Sequence, residues 1–337
     1  MPTSLTIKQV SRGLRTALDP TRPMLAQVVV TRKCNLDCGY CNEYDKISQP
    51  VPTETLYQYI DHLARLGTQV VTFTGGEPLL HPELDKLVAR VNSHDMVCTA
   101  ITNGFLLTKA WVERLNNAGL YDLQVSVDNL EPNDQSQKSF NLLKKKLLLL
   151  SQYAHFIINI NAVLGSSPVN ETRELAKQIR EMGFYMTVGL LHSGNGSLDR
   201  GLLEHKDLEP LFKEISGDRR RKFLHRFGEG WEHDMIRKGE ADWKCRAGAR
   251  YLYIDEFGIV SYCSQRRNDP GIPLLEYTKD HLRHFSTTRK GCELTCTITC
   301  VRRASSVDAW RWQEAETMVK ADAPHLAGVN RIGATPT

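Results

Sequence analysis

At 337 residues, with 41% apolar and 24% charged side chains, the chain has the make-up of a soluble globular protein with an ordinary core. A formal net charge of +4 gives no basis for nucleic-acid binding. No apolar run approaches the ~18 residues that span a bilayer, and Val28–Thr31 is too short for a secretory signal, so stable membrane insertion is not expected and the cytoplasm is.

Taken in chain order, residues 1–24 read as an N-terminal extension. Leu5, Val10, Leu14 and Leu18, with Arg12 and Arg15, make it weakly amphipathic, and packing across the main domain is expected rather than contact with a membrane surface. A unit then recurs in which an amphipathic helix is followed by a β-branched strand. Ala26–Thr31 is the first strand. Leu56, Ile60, Leu63 and Leu66 keep helical spacing, Gly67 stops the helix, and Gln69–Phe73 follows as a strand. Leu84, Leu87, Val88 and Val91 precede Val97–Thr102. Thr108 is placed to cap a helix with Trp111, Val112 and Leu115, ended by Gly119 before Leu123–Val127. The Ser139–Tyr153 helix leads to Phe156–Val163, and Leu175, Ile179 and Met182 lead past Gly183 to Tyr185–Leu191.

Six strands alternating with helices predict an α/β fold with parallel strands, a partial (β/α)6 barrel or an open twisted sheet over residues 25–198. Ligands in such folds sit at the carboxyl ends of the strands. Residues 199–242 read as a helical connector without strands. From 243 to 328 the pattern changes to cysteines and a hairpin, Tyr251–Ile254 and Ile259–Cys263 about Gly258, which predicts a small second domain. Residues 329–337 read as a tail.

The nine cysteines, in a chain without a secretory pattern, argue for metal or redox chemistry rather than a disulfide framework. Cys98, inside an apolar strand, is expected to be buried and inert. Cys34, Cys38 and Cys41 lie in a loop straight after the first strand. Three thiolates within eight residues would wrap one face of an iron–sulfur cube and leave one iron open; a zinc site is the alternative.

The run Cys34-Asn-Leu-Asp-Cys38-Gly-Tyr40-Cys41 resembles the signature of the radical S-adenosylmethionine (SAM) superfamily. Gly75-Gly76-Glu77-Pro78 after the second strand, Thr102-Asn103-Gly104 after the third and Ser126-Val127-Asp128 at the end of the fourth are similar to that superfamily's strand-end motifs. The resemblance implies that Cys34, Cys38 and Cys41 hold a 4Fe–4S cluster whose open iron chelates SAM. It implies that backbone around Tyr40 meets the adenine, that Gly75, Gly76, Glu77 and Pro78 meet the amino group, and that Asn103, Ser126 and Asp128 face the ribose or carboxylate. Asn161, Val163 and Asn170 are similar, more loosely, to the fifth-strand region beside adenine. Gly194-Asn195-Gly196 would close the site or form a turn.

Cys245, Cys263, Cys292, Cys296 and Cys300 resemble an auxiliary-cluster domain of the SPASM or twitch kind, departing from the full SPASM pattern in the last three. Five cysteines imply one auxiliary 4Fe–4S cluster held by four of them, with the spare one unassigned; a structural zinc is the alternative. Arg219–Lys222 with Arg226, Arg266–Arg267 and Arg302–Arg303 read as solvated faces or as a funnel for an anionic substrate. His192, His225 and His281 show no partner pattern.

These implications combine into one expectation. A one-electron donor such as flavodoxin or ferredoxin reduces the cluster, SAM is cleaved to a 5′-deoxyadenosyl radical, and hydrogen is taken from a substrate carbon. A small metabolite or lipid-like substrate is expected because only about 25 residues precede the first strand, too few for a leader-recognition domain. A ribosomal peptide is the alternative, and an iron–sulfur electron-transfer protein without SAM chemistry is the alternative of another class. A cobalamin-dependent methyl transfer is not expected, since no cobalamin-binding segment is read ahead of the first strand.

Overall fold

A computed structural model describes residues 4–217 and 230–309. The six strands form in the predicted order: β1 (Leu25–Thr31), β2 (Val70–Gly75), β3 (Val97–Thr102), β4 (Asp122–Ser126), β5 (Ile157–Leu164) and β6 (Met186–Leu190). Each pairs in parallel with its neighbour in sequence. Parallel neighbours need long crossovers, and α2 (Thr53–Leu66), α3 (Leu84–Ser93), α4 (Lys109–Ala118), α5 (Phe140–Tyr153) and α6 (Val169–Glu181) supply them. The local signals act as read: Thr108 accepts the Trp111 backbone N–H at the start of α4, and α2 and α4 stop at Gly67 and Gly119. The buried face of α2 is Leu56, Tyr59, Ile60, Leu63 and Leu66, laid on a sheet whose Ala26, Val28, Val29 and Val30 are sealed from water. Continuous apolar strands of this kind belong to parallel sheets covered on both faces.

The hairpin also forms, as β7 (Tyr251–Ile254) and β8 (Ile259–Ser261). The sequence pattern does not reveal its placement. β7 adds to the free edge of β1 in parallel, Leu25 opposite Tyr251 and Val28 opposite Ile254. With β9 (Pro270–Pro273) the result is one nine-stranded sheet in the order β6-β5-β4-β3-β2-β1-β7-β8-β9. Trp243, Tyr251, Tyr277 and Phe285 share one hydrophobic core with Val28, Leu63 and Phe73.

Arg250, immediately before β7, ties this half to the N-terminal extension. Its side chain is wholly buried and donates to both oxygens of Asp308 at 2.8 and 2.7 Å. The same guanidinium donates to the carbonyls of Thr16, Asp19 and Arg22, closing the end of α1 (Ile7–Leu18). Removing one partner of a buried ion pair strands the other and costs about 3–5 kcal/mol. Arg250→Leu is therefore expected to lower unfolding stability by about that much, and a urea midpoint unchanged from wild type would contradict it.

α1 packs across the amino ends of the strands, as expected, but through its polar face. Gln9 donates to Met96 O, Arg12 to Thr68 O and Ala64 O, and Thr16 to Gly67 O. Backbone carbonyls at the helix and strand ends need donors, and these side chains supply them. Ile7, Val10, Leu14 and Leu18 are left exposed on the opposite side. No described helix is long and apolar enough to cross a membrane.

Candidate functional site

The site lies at the carboxyl ends of β1 to β5. The segment after β1 runs directly against the end of β2: Gly76 N donates to Thr31 O and Glu77 N to Lys33 O, both at 2.9 Å. A side chain at Gly76 would meet the carbonyl oxygens of Arg32 and Lys33 at 2.3 Å, and one at Gly75 would meet Thr31 O at 2.0 Å. The close approach that the paired glycines allow in this structure is thus between two segments of the chain itself.

Glu77 is fully buried. Its carboxylate accepts from Leu79 N at 2.9 Å, from the Thr102 hydroxyl at 2.7 Å and from Asn103 N at 2.7 Å. These contacts hold the β2 and β3 ends together, and Pro78 opens the short 3-10 turn beneath them. Burial pushes the Glu77 carboxyl up to about 6, against the pull of those donors. The native state then holds this proton more tightly than the unfolded chain does. The contribution of Glu77 to stability is greatest below its ordinary value near 4.5 and declines as pH rises through about 6. Glu77→Ala would leave three buried donors unpaired at about 1–3 kcal/mol each. A drop of several kcal/mol in urea unfolding is expected, and Glu77→Gln should flatten the pH 4.5–6 slope; a wild-type urea midpoint in the alanine variant would refute this.

The loop of Cys34, Cys38 and Cys41 is shaped from two sides. Asn103 Nδ2 donates to Asn35 Oδ1 at 2.8 Å and lies 3.7 Å from Cys34 Sγ. The loop between β4 and α5 clasps the other side: Gln137 accepts from Asp37 N at 3.0 Å, Ser136 Oγ lies 3.8 Å from Cys38 Sγ, and Gly39 lies where a side chain would meet Asp134 O at 2.7 Å. Tyr40 donates to Asp128 Oδ2 at 2.9 Å, which also accepts from Ser136 at 2.6 Å, while Asp128 Oδ1 accepts from Val163 N at 3.1 Å. Lys138 completes the group, donating to Tyr40 Oη, 3.2 Å from Asp128 Oδ2 and 4.7 Å above the Tyr40 ring. Burial opposes its charge, but Asp128, Tyr40 and Cys38 outweigh that and hold the ammonium well above the usual lysine range. Burial raises the Tyr40 hydroxyl, which stays a donor.

The structure therefore brings Cys34, Cys38, Tyr40, Glu77, Asn103 and Asp128 together, with Val163 joined through its backbone. Ser126 pairs across to Asn161, whose side chain accepts from Thr187 at 3.0 Å. Asn170 sits instead in α6 beside Glu204–Asp207. Ser136 and Lys138 were not legible as site residues, because a lysine in a polar loop ordinarily faces water. Cys98 is wholly buried in β3.

The remaining five cysteines lie within electrostatic reach of one another beside the β7–β8 hairpin. The Gly194–Ser197 turn after β6 meets them: Ser197 pairs with Cys296, Leu198 N donates to Thr295 O and Thr297 N to Gly196 O. Cys41 and Cys263 are linked through their neighbours, since Asn42 donates to Gln265 at 2.9 Å and Tyr253 donates to Glu43 at 3.1 Å. Cys245, Cys263 and Cys296 are buried. Burial pushes the first two thiols up to about 12 and Cys296 upward, which also feels Cys245, Cys263 and Cys292. Cys300 stands 3.6 Å from Tyr251 Oη and 3.9 Å from Gln27 Oε1. Lys290 donates to Phe285 O and Thr288 O beside Cys245.

The donor sets fit iron–sulfur groups. All nine thiols are free, and soft thiolates in two local groups are the usual ligands of such cubes. Among the described residues no three side chains converge on one point as a single-ion site requires; thiolates at the corners of a cube lie further apart. The arginine pairs are engaged by the chain: Arg266 with Asp269 and Lys290 O, Arg267 with Tyr253 and Glu256, Arg302 over the Trp243 ring, and Arg303 with Glu232. Arg219–Lys222, Arg226, His225 and the 329–337 tail lie outside the described residues.

Residues 28–146 match the model of the Radical SAM superfamily. PqqA peptide cyclase of Granulibacter bethesdensis is 33% identical over 117 residues, which are 34% of this chain and 31% of that protein. The sporulation killing factor maturation protein SkfB of Bacillus subtilis is 25% identical over 298 residues, 83% of this chain and 68% of its own. The chain spans less than two thirds of the length of several curated relatives, some of them named for GTP cyclisation and heme synthesis. Among solved structures, Streptococcus suis SuiB bound to precursor peptide SuiA shares the fold with a TM-score of 0.60 at 18% identity, over 87% of this chain and 74% of that one. The parallel sheet, the three-cysteine loop clasped at its strand ends and the family match agree: residues 28–146 form a domain of the radical SAM superfamily.

Proposed function

We propose that the chain cleaves SAM reductively and uses the radical to take hydrogen from a carbon of a peptide. The observation that carries this reading is the Cys34–Cys41 loop, built into the ends of β1 to β4 by Asn103, Glu77, Ser136 and Asp128. Cys34, Cys38 and Cys41 would hold a 4Fe–4S cluster with one iron left for SAM. The bound cluster and SAM supply the electron and the radical. The chain's own residues shape the pocket: Glu77 positions Asn103, Asn103 orients the loop through Asn35, and Asp128 holds Tyr40 and the β5 end.

A peptide replaces the small metabolite or lipid-like molecule as the preferred substrate. The SkfB match covers 83% of this chain, and the PqqA cyclase is named for a peptide substrate. The five distal cysteines would hold an auxiliary 4Fe–4S cluster, with Cys245, Cys263, Cys292 and Cys296 as ligands. Cys296 lies within electrostatic reach of Cys245, Cys263 and Cys292; Cys300, although within reach of Cys263, turns toward Tyr251 and Gln27 and would be the spare. Glu43, Asn42, Tyr253 and Gln265 bridge the two thiol groups and would form the floor on which the substrate lies.

The test is anaerobic. Reconstituted protein, SAM and a strong reductant are expected to yield 5′-deoxyadenosine and methionine by liquid chromatography. Cluster-loaded protein that returns SAM intact would refute the reading.

A further inference from the structure

Around the first three cysteines the charges are unevenly placed. Glu77 bears on Cys34, and Glu43 on Cys41. Lys46 lies toward Cys34 from the solvent side, donating to Leu36 O. The enclosed cation is Lys138. Its side chain is 14% exposed, its ammonium is held by Tyr40 Oη and Asp128, and its charge acts on Cys41 and on Glu77. Its partner Asp128 is 1% exposed and is tied through Ser136 to Cys38.

Two features separate this lysine from an ordinary surface cation. It is pinned, because Tyr40 accepts from it while donating to the carboxylate that pairs with it. It is also shielded from water on the ring side by Tyr40, so its field is less screened than that of a solvated lysine. A cube bound by three thiolates carries net negative charge, and adding an electron increases it. Net charge and burial near such a centre set its reduction potential.

We propose that Lys138 is a positioning residue for the electron: a fixed buried cation that makes the metal centre at Cys34, Cys38 and Cys41 easier to reduce, with Asp128 as the opposing charge that holds it in place. This rests on the reading of that loop as an iron–sulfur site. A lysine that only braced the loop would alter loading and folding but not the potential of whatever cluster remained.

The experiment uses the full chain, reconstituted anaerobically, with iron content, circular dichroism and an EPR-monitored redox titration in the absence of SAM. To read the first centre alone, each titration is repeated in a Cys245→Ala/Cys263→Ala background. Lys138→Met is expected to shift the ratio of reduced to oxidised cluster at a given potential at least tenfold toward oxidised, which is 59 mV for one electron. Lys138→Arg should restore the wild-type ratio to within a few-fold. Asp128→Asn, which removes the opposing charge, should move the ratio the other way, so loss of structure and loss of charge predict different signs. If Lys138→Met does not load iron, the sign of the Asp128→Asn shift decides. Loaded variants with an unchanged ratio, or with both shifts of one sign, would overturn the proposal. Wild-type protein that takes up no iron at this loop would overturn the iron–sulfur reading itself, and with it the role assigned to Lys138.

Discussion

Replacing Cys34, Cys38 and Cys41 together with alanine is expected to abolish 5′-deoxyadenosine formation, to the background of the reductant alone. Three thiolates would leave one iron unligated for SAM, whereas a distal cluster held by four thiolates would offer no open iron. The surrounding scaffold should survive, because the loop is held by contacts that do not use these thiols: Asn103 to Asn35, Asp37 to Gln137, and Cys34 N to Asp45 O. Circular dichroism should therefore match the wild type while about four irons per chain are lost. A triple variant that still cleaves SAM at the native rate would end the central claim.

The second large effect separates the two cysteine groups. Cys245→Ala with Cys263→Ala should also remove about four irons per chain, through loss of the distal cluster. SAM cleavage should persist, since the β1 to β5 strand ends are complete without these residues. Product derived from a peptide substrate should fall at least tenfold, because this group is joined to the first through Asn42–Gln265 and Tyr253–Glu43. Metal binding contributes folding energy, so some loss of thermal stability is expected alongside. A folded double variant with wild-type iron content would remove both residues from the ligand set. The same experiment on Cys300→Ala should leave the iron unchanged, and a loss of iron there would exchange it for one of the proposed quartet.

Periodicity made the sheet legible. The six parallel strands and the helix stops are written in apolar spacing and glycines, and Val97–Thr102 was read to the residue. Motif position placed Glu77, Asn103 and Asp128 just after strands and Tyr40 in the loop after β1, and the structure joins Tyr40 to Asp128 and Glu77 to Asn103. What they do there was less visible. Glu77 looks like a ligand in sequence, yet its oxygens are taken by Leu79, Thr102 and Asn103. Lys138 has no period and no motif, and its meaning comes from a partner on another loop. The attachment of β7 to β1 escaped for the same reason, since strand pairing across a long separation leaves no local pattern. α1 reversed its expected orientation because Gln9, Arg12 and Thr16 answer carbonyls that no helical wheel displays.

That pairing bears on how the chain is made. Residues 22 and 250 are bonded at a separation of 228 positions, and the strands beside them zip together from there. While the ribosome is still building the middle of the protein, the Leu25–Val28 edge has its β2 partner but not its β7 partner. An apolar strand with unpaired backbone is an invitation to the wrong neighbour. Long-range pairings form slowly, and intermediates that expose such edges aggregate. Production of this protein should therefore gain from slow synthesis at low temperature, and truncations that end before Tyr251 should collect as insoluble material even though every strand from β1 to β6 is present.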